Sequence, residues 1–166
     1  MVNSRNGLVG MLRNLVGLRE SKFVDTLSLK PEVDLFDLKY WQNMRTRVPP
    51  ETLKKGKCNR WSLHAGILID QDYRGNGFEI KVSEDASIVR DSGFSFHVWL
   101  ENNQKGKRFI ADGAAGYLSP EFPKGFYGFA EEAPENLRAM YENPSKNPDL
   151  ALGITLKRVF GYAIDV

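Results

Sequence analysis

Phe94-Ser95-Phe96-His97-Val98-Trp99-Leu100-Glu101, followed after a polar turn by Lys107-Arg108-Phe109-Ile110-Ala111-Asp112, is the stretch on which the reading of this chain turns. Successive side chains of a strand point to opposite faces. The first run therefore sorts into Phe94, Phe96, Val98 and Leu100 on one face and Ser95, His97, Trp99 and Glu101 on the other. This is the cleanest alternation in the chain, and it predicts a strand with an apolar face. Residues 108–112 of the second run predict another strand, ending in an aspartate just before Gly113, with residues 102–107 as the turn between them. Strands joined by so short a connection pair antiparallel. His97 and Asp112 are 112 − 97 = 15 positions apart, which lets imidazole and carboxylate meet across the pair. Taken singly, a strand histidine is commonly exposed or merely hydrogen-bonded, and an aspartate before glycine commonly opens a turn.

Upstream, Phe78, Ile80 and Val82 alternate with Glu79 and Lys81, predicting a further strand after a turn at Gly75 and Gly77. Before it, Trp61, Ala65, Leu68 and Ile69 recur at three- and four-residue steps, the mark of a buried helix, although Ile67-Leu68-Ile69 reads equally as a strand. Cys58 opens this segment, directly after a polar loop at residues 54–57. A free cysteine is most often a small buried hydrophobe. Here the polar neighbours Lys57, Asn59 and Arg60 argue for exposure instead. A cysteine nucleophile needs an imidazole to make its thiolate and a third group to orient that imidazole. A helix N-terminus favours the thiolate and supplies N–H groups for an oxyanion. Cys58 and His97 are 97 − 58 = 39 positions apart, room for one helix and one strand between them. His64, six positions past Cys58, does not share its helical face well; it would face the same cleft only if residues 62–69 were a strand, so His97 is preferred as the base. Glu101 reads as solvated or paired with a nearby lysine.

The segment from Phe96 to Glu101, the strand ending at Asp112, and Cys58-Asn59-Arg60-Trp61 opening a helix resemble the transglutaminase-like, papain-like cysteine peptidase superfamily. The likeness covers about residues 55–115. It implies an α+β fold with N-terminal helices packed on an antiparallel sheet. It also implies Cys58 as nucleophile, His97 as base and then acid, and Asp112 as the group that fixes the imidazole tautomer. The Cys58 N–H would form part of an oxyanion hole, completed from upstream by Gln42 or Asn43, candidates by side-chain type alone. Trp99 would line the cleft or shield the His–Asp pair, or else simply pack the core. The implied chemistry is thiol-dependent acyl transfer or hydrolysis on a protein or peptide, of peptidase, amidase, deamidase or transglutaminase type, without cofactor or metal.

With 166 residues the chain reads as one compact domain: a helical extension over residues 1–50 packed on a catalytic domain over residues 51–166. In the extension, Leu8, Met11, Leu12, Leu15 and Leu18 share a helical face that either packs on the domain or meets a partner. Residues 34–44 predict a second helix with Leu35, Leu38 and Trp41 inward, stopped by Pro49 and Pro50. Further on, residues 117–128 read as an irregular loop. A lid is the alternative there, hinged at Gly116, Gly125 and Gly128. Residues 134–141 read as a short helix and 150–166 as one or two closing strands. The net charge of +2 gives no pull toward nucleic acid, and Lys54, Lys55, Lys57 and Arg60 read as a solvated loop rather than a binding patch. A single cysteine forbids an internal disulfide and, with two histidines, makes a zinc site unexpected. The first 20 residues make a poor signal peptide and no apolar run is long enough to span a membrane, so a soluble, cytoplasmic protein is expected, although one delivered into another cell would look the same. The rival expectation is a non-catalytic binding module on the same fold, or a phage or plasmid accessory protein acting through residues 8–18.

Overall fold

The alternation at residues 94–112 becomes the central hairpin of a four-stranded antiparallel sheet in order β1-β2-β3-β4. The strands are β1 (Phe78–Ser83), β2 (His97–Gln104), β3 (Lys107–Asp112) and β4 (Phe126–Phe129). The helices are α1 (Leu38–Arg47), α2 (Cys58–Asp72), the short α3 (Ser87–Asp91) and α4 (Glu135–Glu142). This computed structural model describes residues 34–146 apart from Arg74, Asp85 and Lys105, so the expectations for residues 8–18 and 150–166 fall outside the described residues. The fold is α+β. Among the described residues no helix is long and apolar enough to cross a membrane.

The two faces of the hairpin bury against different partners. Leu100 pairs with Ala111 and Asn102 with Phe109, and the apolar members of these pairs meet Trp41 and Met44 of α1 and Trp61 of α2. On the opposite face, Trp99 and Ile110 pack against Leu137, Met140 and Tyr141 of α4 and Val89 of α3. All of these side chains are at most 1% exposed, so the sheet is covered on both sides. The period of two decides which side chains look each way, and burying two apolar faces requires a layer on each side.

Several elements differ from their sequence expectations for local reasons. Helix α1 begins at Leu38 because Asp37 acts as its N-cap, accepting from the Lys39 N–H at 3.0 Å. That phase buries Trp41 and Met44 and leaves Leu38, expected inward, 48% exposed. The ambiguous run at Ile67–Ile69 is helical, since α2 continues to Asp72. Strand β2 starts at His97 rather than Phe94, because the chain enters it through α3 and a turn at Gly93, whose φ of 75° suits glycine. Residues 126–129, expected as loop or lid, form β4 and pair with β3, with Asp112 opposite Phe126. Gly125 makes this approach possible. Its φ is 95°, and a Cβ there would stand 2.6 Å from the Asp112 carbonyl oxygen.

Candidate active site

Three elements bring the chemistry-bearing side chains together. Helix α2 supplies Cys58 at its first residue, after Lys57 as N-cap. The first N–H groups of a helix have no acceptor within it, and its dipole places partial positive charge there. Strand β2 supplies His97 at its first residue, paired with Ser83 at the end of β1. Strand β3 supplies Asp112 at its last residue. The β2–β3 register, Leu100 with Ala111, carried one step further sets Asp112 opposite Trp99, and His97 is then the diagonal neighbour on the same face.

The result is a bond of 2.7 Å between His97 Nε2 and Asp112 Oδ2, with both side chains buried. With Nε2 so engaged, Nδ1 is the nitrogen left for the thiol. Cys58 is near enough to the ring to raise its pKa, by hydrogen bonding and by charge. Burial is the largest influence on the imidazole and opposes protonation. The charge and hydrogen bond of Asp112, together with those of Cys58, outweigh it, and the His97 pKa is pushed up to about 10. The shift favours the protonated ring, with its Nε2 bonded to the carboxylate.

Two more donors converge on Asp112. The Tyr141 hydroxyl donates to Oδ2 at 2.9 Å, and the Ala114 N–H donates to Oδ1 at 3.0 Å. Gly113, between Asp112 and Ala114, lies flat against the Trp61 indole, and its carbonyl accepts from Arg45 Nη1 at 3.0 Å. The sequence alone does not single out Tyr141. The one signal is general: it closes the helix read at residues 134–141, and a tyrosine hydroxyl needs a partner once buried. Nothing local names that partner, which is 141 − 112 = 29 positions away.

The remaining candidates are placed as follows. Cys58, expected to be exposed, is 7% exposed, and its neighbour Asn59 is also buried. Lys57 and Arg60 stay half-buried, while Cys58 packs with Val82, Phe96, Val98 and Ala114, which are distant in sequence and so do not show in its flanks. Trp99 is fully buried and packs on Tyr141, ring centroids 5.3 Å apart, so it belongs to the core rather than to the wall of an open cleft. Its Nε1 donates to Glu101 Oε2 at 3.3 Å. Glu101 is neither solvated nor paired with lysine: it is 7% exposed and accepts two bonds of 2.9 Å from Arg108. Gln42 and Asn43 lie on the exposed side of α1, where Asn43 accepts from Thr46. His64 is half-buried along α2 and feels Glu51 and Arg60, and burial lowers its pKa. Among the described residues no group of His, Cys, Asp or Glu is arranged to hold a metal ion.

This arrangement suits nucleophilic catalysis: a cysteine sulfur at a helix start, an imidazole near it, and a carboxylate bonded to the imidazole. No family model, curated protein or solved structure matches the chain.

Proposed function

We propose that the protein is a thiol-dependent acyl-transfer or hydrolytic enzyme of the transglutaminase-like, papain-like kind, acting on a protein or peptide through Cys58, His97 and Asp112. One observation carries this reading: buried His97 bonds Asp112 through Nε2, and Cys58, the first residue of a 15-residue helix, is near enough to raise the His97 pKa by hydrogen bonding and charge. The sequence likeness over residues 55–115 supports the same family. In the first half-reaction the Cys58 sulfur, its proton resident on His97, bonds to the carbonyl carbon, and the carbonyl electron pair moves to oxygen. N–H groups at the start of α2 are the available donors to that oxyanion. Collapse of the tetrahedral species breaks the bond to the leaving amine, alcohol or thiol, which takes the His97 proton. In the second half-reaction, water or an amine gives a proton to His97 as it attacks the thioester, and the carbon–sulfur bond breaks. Water yields hydrolysis or deamidation; an amine yields transfer.

The test uses p-nitrophenyl acetate as an activated acyl donor, with mass spectrometry of the intact protein. Cys58 is the chain's one cysteine, so acylation is readily assigned. The wild type is expected to gain one acetyl group on Cys58 and to turn over. The Cys58→Ala variant should gain none, and His97→Gln should react at least about 100-fold more slowly. A wild type that is not acylated, or a His97→Gln variant that reacts as fast, would remove the enzyme reading.

One observation favours a second reading, a non-catalytic binding module. Cys58 is 7% and His97 3% exposed, while an open groove lies elsewhere, lined by Glu84, Glu142, Asn143 and Lys146. The same acylation experiment separates the two.

A further inference from the structure

We infer that Tyr141 is a positioning residue for His97, acting through Asp112: its hydroxyl fixes the carboxylate and takes up part of the accepting capacity of Oδ2 that would otherwise go to the imidazole. The inference rests on the reading of Cys58, His97 and Asp112 given above. Three facts support it. First, both donors use the same oxygen, His97 Nε2 at 2.7 Å and the Tyr141 hydroxyl at 2.9 Å, while Oδ1 is held by the Ala114 N–H at 3.0 Å. The carboxylate is thus tied at both oxygens and cannot turn about its χ2 without losing bonds. Second, the hydroxyl is a permanent donor: burial, and then the charge of Asp112, hold it protonated well above the ordinary tyrosine range.

Third, Tyr141 is itself held in place from both ends. Arg108 donates from Nη2 to the Tyr141 carbonyl oxygen, and the Arg108 guanidinium is fixed by two bonds to the buried Glu101. Charge-assisted bonds of this forked kind fix orientation as well as position. The ring is clamped between Trp99, at 5.3 Å and 63°, and Phe126, at 5.9 Å and 23°. Strands β2 and β3 therefore supply His97 and Asp112, and through Glu101 and Arg108 they also anchor the helix end that bears Tyr141. For the proposed chemistry, an imidazole bonded to an unshared carboxylate would hold its proton harder and surrender it less readily to a leaving group. A second donor on the same oxygen tempers that hold.

The test is Tyr141→Phe, which keeps the ring and its packing and deletes the hydroxyl. The readout is the titration of the imidazole nitrogens by NMR. The chain has two histidines, and His64, with its lowered pKa, titrates well below His97. Losing the shared donor is expected to move the His97 midpoint upward by about half to one pH unit, a threefold to tenfold fall in the deprotonated fraction at fixed pH. A hydroxyl that only fills space predicts no shift, and one that only locks the carboxylate predicts a downward shift. Either result, in a variant whose amide spectrum remains folded, overturns the inference. Failure of the enzyme reading is separate: there the wild type would not be acylated on Cys58, whatever Tyr141→Phe does to His97.

Discussion

Replacing Gly113 by alanine puts a methyl group where the structure has a tryptophan ring. A Cβ built on Gly113 would stand 2.1 Å from Trp61 Cε2, 2.4 Å from Nε1 and 2.5 Å from Cδ2. Carbon atoms in contact prefer about 3.5–4.0 Å, so one partner must move by roughly 1 Å or more. Neither is free to do so. Trp61 is fully buried, with the rings of Trp41 and Tyr127 at 6.3 and 6.2 Å. Gly113 has its carbonyl held by Arg45, and the next N–H, that of Ala114, is bonded to Asp112. Overpacking a well-filled core costs typically about 1–3 kcal/mol. With both sides pinned, the upper end of that range is expected, reduced by at most about 1 kcal/mol through the stiffer unfolded chain. For a urea slope of about 1–3 kcal/mol per molar, a net loss of about 2–3 kcal/mol lowers the unfolding midpoint by roughly 0.7–3 M.

The same displacement pulls on both halves of the site. Trp61 is one turn of α2 beyond Cys58, and Gly113 follows Asp112 directly. Gly113→Ala should therefore also slow acylation of Cys58 in protein that is still folded. Urea unfolding followed by fluorescence gives the stability, and mass spectrometry in the absence of urea gives the acylation rate. An unfolding free energy within about 0.5 kcal/mol of the wild type, the ordinary range for innocuous substitutions, would refute the packing argument.

Gly66 is the contrasting case. A Cβ there meets Leu100 Cδ2 at 3.6 Å, an ordinary contact, inside a helix. Gly66→Ala should therefore stabilise by about 0.5–1 kcal/mol, and a lower urea midpoint would contradict that. His97 makes stability depend on pH. Its folded-state pKa, about 10, lies above the ordinary histidine value of 6.5, so its contribution is complete below about pH 6.5 and is lost as pH rises toward 10. In Cys58→Ala, which removes the thiol that would otherwise titrate in the same window, unfolding free energy should fall by up to about 1.4 kcal/mol per pH unit as pH rises above 6.5. The buried hydroxyls of Tyr127 and Tyr141, both raised by burial, add to the loss only above about pH 10, so the window reports on His97. A flat profile between pH 7 and 9.5, or a slope that persists in His97→Gln, would count against the His97–Asp112 pair.

Much of the sheet was legible because a strand writes its geometry into every second residue. Phe78 to Val82 and Phe94 to Asp112 carry that period, and the split of Val98 and Leu100 from His97, Trp99 and Glu101 is the split between the two buried faces. Antiparallel pairing across a short turn then brings His97 and Asp112 within reach of each other, and the position of Cys58 at a helix start follows from the apolar steps after it. Tertiary structure decided the rest. The depth of Cys58, the pairing of Glu101 with Arg108, the bond from Tyr141 to Asp112 and the conversion of residues 126–129 into β4 all depend on segments distant in sequence. Periodicity tells a side chain which way to face. It does not say what stands opposite, because that is set by how the layers fill space and by which buried donors and acceptors must find one another once water is excluded.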